Sequence, residues 1–174
     1  MPNIAKYLLL AMTLFVPAFL QSCIDGDDED YQAWRDVNDA YINSLNLNEY
    51  EKVAPDWAPL NPVYIKWHND RTLTKDNLVP MSTSTITMKY ELEDINGTKI
   101  ENTYARQDSA YTCKPNQNVI GMWIALTTMH VGDSVTLVIP YSSGYGAEIR
   151  SSMKPFTDLI FHMKLKSITA FEKQ

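Results

Sequence analysis

The side chains best suited to chemistry are few and scattered. His68, His130 and His162 stand far apart, and none makes the HxxxH or HExxH spacing that puts two ligands on one helix face, so a helix-borne metal site is not expected. The two cysteines, Cys23 and Cys113, cannot build a four-thiolate zinc site or a disulfide scaffold. Ser142-Ser143-Gly144-Tyr145-Gly146 has the wrong order for a GxSxG nucleophile elbow. No glycine pattern is set to cradle phosphate, and no two of the 21 Asp and Glu are singled out as a glycosidase pair. Acid–base and nucleophilic catalysis thus have no evident apparatus, and neither metal nor cofactor is expected. What remains is a tyrosine, Tyr145, in an exposed loop rich in Ser and Gly, and a set of apolar and aromatic residues on strands.

The elements that must position them follow from periodicity. Ile86, Met88, Tyr90 and Leu92 alternate with Thr87, Lys89 and Glu91, the pattern of a half-buried strand. Asn96-Gly97 marks a tight hairpin turn with both residues at positive φ, and the return strand begins at Lys99. Met122, Leu126 and Met129 share one face of a short helix, which Gly132-Asp133 stops. Val135, Leu137 and Ile139 alternate along a strand ended by Pro140. Tyr141 to Lys154 reads as a loop, and Leu159 to Ile168 as a last strand with Leu159, Phe161, Met163 and Leu165 on one side. Earlier in the chain, Trp34, Val37, Tyr41 and Leu45 recur at helical intervals, with Asp30 placed to cap the helix. Pro55, Pro59 and Pro62 interrupt regular structure, Val63 to Trp67 reads as a short strand, and Thr72 to Ser84 is turn-prone. Strands, one short helix and strands again imply an antiparallel α+β domain.

Composition sets the outer bounds. The chain has 174 residues, which suits one globular domain with appendages. Its net charge of −6 and pI near 5.0 argue against a nucleic-acid partner, which requires a basic face. The N-terminus reads as an address. Lys6 precedes an apolar run, Tyr7 to Leu20, too short for the roughly 20 residues of a span and typical of a secretory signal. The run ends Leu20-Gln21-Ser22-Cys23, which resembles the bacterial lipobox. Residues 1–22 are then a lipoprotein signal peptide and Cys23 the lipidation site, which implies anchoring to a membrane in the cell envelope. Residues 23–30 form an acidic tether; a calcium loop is a weaker reading, since the distal glutamate of an EF-hand is missing. The acidic run also resembles the export signal of surface lipoproteins of Bacteroidetes, which implies an outer-membrane lipoprotein, periplasmic or surface-exposed. Residues 31–81 carry the N-terminal helix and an extension, and 82–174 the main domain.

Ordered anchors in that domain resemble the FKBP-type peptidylprolyl isomerases. Tyr90 with Gly97 is similar to the family's Y-x-G-x-L-x-D-G, and Ile100-Glu101-Asn102-Thr103-Tyr104 stands where the family has F-D-S-S. Val119-Ile120-Gly121 resembles V-I-x-G-W, and Leu126 to Asp133 resembles L-x-x-M-x-V-G-D. Ile139-Pro140-Tyr141-Ser142-Ser143-Gly144-Tyr145-Gly146 is similar to I-P-x-x-L-A-Y-G. Met153-Lys154-Pro155 and Leu159-Ile160-Phe161 resemble I-P-P and L-x-F. The resemblance implies an FKBP-like antiparallel twisted sheet wrapped on one short helix, with an N-terminal helical extension. It implies cis–trans isomerisation of X–Pro bonds in exported proline-containing polypeptides by a monomer without cofactor. Tyr90, Glu101, Ile120, Tyr145 and Phe161 would be the catalytic residues. Ile100, Tyr111, Val119, Met122, Trp123 and Met153 would bind substrate, with the Tyr145 hydroxyl and the Val119 or Ile120 N–H donating to substrate carbonyls.

Two departures from the family pattern matter. Met122, not tryptophan, follows Gly121, and an ungapped count to Met129 puts Met122 on the pocket floor, whereas a one-residue slip would restore Trp123. The family's F-D pair is Ile100-Glu101. Both reduce the aromatic lining, so a catalytically weak or inactive peptide-binding or chaperone module is the alternative.

Overall fold

The structure, a computed structural model, describes residues 28–105 and 110–171. The chain divides into two units, Met1–Asp30 and Tyr31–Gln174. Of the first, only Asp28–Asp30 is described, so the apolar leader, Cys23 and the beginning of the acidic run lie outside the described residues.

Helix α1 spans Asp28–Ser44. Asp30 therefore falls inside its first turn rather than at its cap. The packed face also differs from the expected one. Tyr41, Ile42 and Leu45 pack against Tyr64, Val138 and Ile160, and Asn38 is fully buried. Val37 is 51% exposed, because at 3.6 residues per turn it lies about 90° from the centre of that stripe. A buried asparagine breaks the apolar pattern for a reason. Asn38 Nδ2 donates to the Trp34 carbonyl at 2.8 Å, and its Oδ1 accepts from the Asp158 N–H at 2.8 Å.

Seven strands follow: β1 (Glu51–Val53), β2 (Val63–Trp67), β3 (Thr85–Glu93), β4 (Lys99–Asn102), β5 (Tyr111–Cys113), β6 (Ser134–Ile139) and β7 (Leu159–Ala170). They pair antiparallel in the order β1-β2-β6-β7-β3-β4, and β5 shares with β4 the free edge of β3. The alternation read from Ile86 to Leu92 is the observed burial of β3. β6 is buried on both sides, since its second face, with Val138, lies under the α1 residues named above. Helix α2 (Ile120–Thr128) covers the other face. It approaches closely because Gly121 has no side chain: a Cβ there would lie 2.3 Å from Ile139 Cγ2 and 3.0 Å from the Ser143 carbonyl oxygen.

The hairpin turn is not the one expected. Only Gly97 takes a positive φ, 77°. The Gly97 N–H donates to the Asp94 carbonyl at 2.9 Å, and the Asp94 N–H to the Thr98 carbonyl at 3.0 Å. The turn is thus centred on Ile95-Asn96, with glycine next in the left-handed region, the longer hairpin form. Asp94 Oδ1 accepts from the Asn96 and Thr98 N–H groups, both at 2.9 Å, and this favours that form.

Candidate functional site

The site grows from the edge of β3. Tyr90 faces the core and is 4% exposed. Its register partner on β7 is Met163, and Phe161 opposes Leu92, so Tyr90 and Phe161 are diagonal neighbours on one face. Their rings meet edge to face with centroids 5.4 Å apart. On the other side β5 sets Tyr111 opposite Met88, and the Tyr111 ring meets Tyr90 at 5.7 Å, again edge to face. This geometry suits the quadrupoles of the rings.

Ile100 reaches the cluster through a bulge. Leu92 pairs with Glu101 and Glu93 with Lys99, which leaves Ile100 between them without a partner on β3. A bulge re-aims a side chain, and Ile100 packs against the core that holds Tyr90 and Phe161, whereas Glu101 is exposed. Beyond the bulge, Thr103 clamps Tyr90. Its Oγ1 accepts from the Tyr90 N–H at 2.9 Å and donates to the Tyr90 carbonyl at 3.1 Å, while its own N–H donates to that same carbonyl at 2.9 Å. Thr103 is fully buried.

Helix α2 supplies the next wall. Met122 is 2% exposed and belongs to the same buried cluster as Tyr90 and Phe161; Val119 and Ile120 pack on its margin. Trp123, one residue on, is turned about 100° around the helix and meets Trp57 instead, with centroids 4.7 Å apart. It is not brought to the Tyr90 cluster. Val119 is the cap residue but makes no side-chain cap bond, and the first amides of a helix lack intrahelical acceptors, so the Ile120 N–H is available to a ligand carbonyl.

The last wall is the loop after β6. Tyr145 packs partly against the core, and the Arg150 guanidinium lies 4.1 Å from its ring centroid. Among the described residues, the Tyr145 hydroxyl has no hydrogen-bond partner, so it can donate outward. The Gly144 and Gly146 N–H groups both donate to the Tyr141 carbonyl, at 3.0 and 2.9 Å, and the Phe156 N–H donates to the Gly146 carbonyl at 2.7 Å. The Tyr141 N–H is fixed in turn by Asp158 Oδ1 at 2.7 Å. Met153 also packs on the core margin. Of the expected residues, Tyr90, Ile100, Tyr111, Val119, Ile120, Met122, Tyr145, Met153 and Phe161 belong to or pack on this core; Glu101 stands opposite Leu92 at its exposed edge, and Trp123 points elsewhere.

Sequence reasoning missed Thr103 and Arg35. Arg35 Nε donates to the Tyr141 hydroxyl at 3.0 Å, and its guanidinium lies 5.2 Å from the Phe156 ring centroid. No local pattern reports contacts of such sequence separation. Among the described residues no group of His, Cys, Asp and Glu could hold a metal ion, and no helix is long and apolar enough to cross a membrane.

The cluster of the Tyr90, Tyr111 and Phe161 rings with Met122, edged by the start of α2 and the loop that carries Tyr145, fits the comparison with known proteins. The family described as FKBP-type peptidyl-prolyl cis-trans isomerase matches residues 77–166, and the chain belongs to that family. Among solved structures, it is similar to a peptidyl-prolyl cis-trans isomerase from Pseudomonas syringae pv. tomato, at 18% identity and a TM-score of 0.64, over 85% of this chain and 100% of that one. It is also similar to FkpA from Escherichia coli, at 17% identity and a TM-score of 0.63, over 82% of this chain. The chain spans only 61% of the length of FkpA. A multi-domain immunophilin from Arabidopsis thaliana matches at 16% identity and a TM-score of 0.54, over 64% of this chain and 44% of its own. No curated protein matches the chain.

Proposed function

We propose that the chain is a peptidylprolyl cis–trans isomerase acting on X–Pro bonds of exported proteins, a monomer held at the cell envelope by a lipid on Cys23. The observation that carries the catalytic reading is the grouping of the Tyr90, Tyr111 and Phe161 rings with Met122 in one core, against which the partly exposed Tyr145 packs. Rotation about a peptide bond is opposed by a barrier of roughly 18–20 kcal/mol because the amide is conjugated. Twisting the bond breaks conjugation and reduces its polarity, so a dry aromatic slot favours the twisted form over the planar one. The Tyr145 hydroxyl and the Ile120 N–H donate to the carbonyls on either side and hold the peptide across the slot. No covalent intermediate is needed.

Uncatalysed isomerisation takes tens to hundreds of seconds, so the assay is direct. Purified chain at micromolar concentration should accelerate cis–trans relaxation of a short X–Pro peptide with an apolar X. The uncatalysed rate in its presence would overturn the isomerase reading. For the anchor, Cys23→Ala should move the protein out of the membrane fraction; unchanged fractionation and mass would overturn that part.

A second reading rests on Met122. A flexible thioether in place of a rigid indole gives a floor that adapts to ligands but fixes a twisted amide less firmly. A binding module of low or no activity would still shift the NMR signals of Tyr145 and Phe161 on addition of proline peptides.

A further inference from the structure

A cleft of about 340 Å³ opens between α1, the β3–β4 turn and the segment before β7. The residues that matter in it are Trp34 from α1, Asp94 and Thr98 from the turn, Ile100 from the bulge, and Met153 and Lys154. Ile100 and Met153 also pack against the cluster that holds Tyr90 and Phe161. With the Tyr90–Phe161 cluster read as the prolyl slot and Ile100 and Met153 as its margin, a peptide whose proline occupies the slot has the cleft beside it. Its far wall is Trp34, on a helix that precedes the 77–166 family match.

Three polar groups of the cleft are engaged by neighbours, and its lining also carries the Asn96, Thr98 and Ser152 side chains. Trp34 Nε1 donates to Thr157 Oγ1 at 3.0 Å, and Thr157 Oγ1 donates to the Lys154 carbonyl at 2.7 Å. Asp94 Oδ1 is occupied by the two turn amides. The apolar surface offered to a ligand is the Trp34 ring, with the Lys154 ammonium 5.4 Å from its centroid, together with Ile100 and Met153. A flat ring, a branched aliphatic chain and a polarizable thioether select apolar and especially aromatic groups. The volume lies at the small end of ligand pockets, enough for a side chain rather than a folded partner. The Asn38 bonds and the Trp34–Thr157 bond hold α1 in place, so little ordering cost opposes binding.

We infer that Trp34, Ile100 and Met153 form an accessory subsite for one aromatic or large aliphatic side chain of the same proline-containing peptide, giving preference to X–Pro sequences with such a residue nearby. This inference rests on the reading of the Tyr90–Phe161 cluster as the prolyl slot.

The test compares the full chain on a capped tetrapeptide Ala-Leu-Pro-Ala with longer peptides that place one Phe at successive positions on either side of that unit. One Phe position should raise kcat/KM over the tetrapeptide by roughly tenfold, the scale of one well-buried apolar group. Trp34→Ala should abolish that ratio. Thr98→Phe, at an exposed turn position, should fill the cleft and do the same without touching the α1 contacts, with unchanged circular dichroism as the check on folding. Equal kcat/KM for all peptides in the unaltered protein, or a ratio that survives both variants, overturns the subsite. If no peptide is accelerated, the isomerase reading fails by itself. Titration calorimetry then decides: tighter binding of a Phe peptide that is lost in both variants supports the subsite, and equal binding overturns it.

Discussion

Arg35 on α1 and Tyr141 after β6 are joined at 3.0 Å, guanidinium to hydroxyl, across most of the folded chain. The contact reaches the candidate site by a short route. The Tyr141 carbonyl holds the Gly144 and Gly146 amides on either side of Tyr145, and Arg35 also covers Phe156, whose φ of 57° places a bulky residue in the left-handed region. Arg35→Ala should loosen the Tyr141–Gly146 turn and lower kcat/KM by roughly two- to fivefold. Arg35→Lys should recover little of this, because a lysine lacks the planar guanidinium that stacks and donates at once. Hydrogen exchange of the Gly144 and Gly146 amides, faster in Arg35→Ala than in the unaltered chain, is the structural readout; unchanged exchange would disprove the linkage.

Thr103→Val removes a hydroxyl that serves both backbone groups of Tyr90 and keeps the side-chain shape. The buried Tyr90 N–H is then left without its acceptor, a loss worth about 1–3 kcal/mol. The urea midpoint should fall accordingly, with the slope unchanged. The Tyr90 ring signals should broaden, since the bond holds Tyr90 against Phe161.

Much of the scaffold behind these contacts was legible. β3 alternates because one face is buried, and the alternation from Ile86 to Leu92 reports it without any tertiary knowledge. β1 and β5, of three residues each, are too short to show a period, and Tyr111 acquires its place only by pairing with Met88. The two readings of the tryptophan differ by one step around a helix. The family pattern leaves both open, while the shared face of Met122 with Leu126 favours one. The bulge at Ile100 and the Thr103 clamp arise from pairing register, which no single strand encodes. Arg35 and Asn38 were invisible for another reason: a polar residue on a helix reads as solvated until the loop that it meets is known.

Asp158 is fully buried. Burial is the main cause that pushes its carboxyl up to about 7, the Tyr141 N–H pulls the other way, and Asp39 adds to the rise. The folded value lies above the unfolded one, about 3.9. The contribution of Asp158 to stability is therefore full below about pH 4 and declines as the pH rises towards 7, by at most about 1.4 kcal/mol per pH unit. Asp158→Asn keeps an oxygen for the Tyr141 N–H and removes the titration. Melting temperatures measured from pH 4 to 8 should fall less steeply in Asp158→Asn than in the unaltered chain; parallel curves would refute the assignment.

Gly121→Ala inserts a methyl where Ile139 Cγ2 and the Ser143 carbonyl already stand, at 2.3 and 3.0 Å. Ile139 is fully buried in β6, and its Cγ2 is bonded directly to Cβ, so it moves only if χ1 or the backbone moves. Overpacking of this kind costs about 1–3 kcal/mol. The accompanying shift of Ser143 would also move the turn that carries Tyr145, so peptide affinity should fall together with stability.

Tyr145→Phe isolates one hydroxyl. The ring stays under the Arg150 guanidinium, and the loop bonds to Tyr141 involve only backbone, so the fold should be unchanged. The substrate carbonyl loses one donor, worth about 0.5–1.5 kcal/mol, or roughly 2- to 12-fold in kcat/KM at about 1.4 kcal/mol per tenfold. Where the loss falls distinguishes ground-state from transition-state use of the bond. A rise in KM alone means that the hydroxyl grips the planar peptide and the twisted one equally. A fall in kcat means that the bond strengthens as the carbonyl rotates towards it. Tyr145→Ala should cost more than either, because it also removes a wall and lets water reach the amide. If Tyr145→Phe and Tyr145→Ala both match the unaltered chain, Tyr145 takes no part in catalysis, and the helix N-terminus at Ile120 must hold the peptide without it.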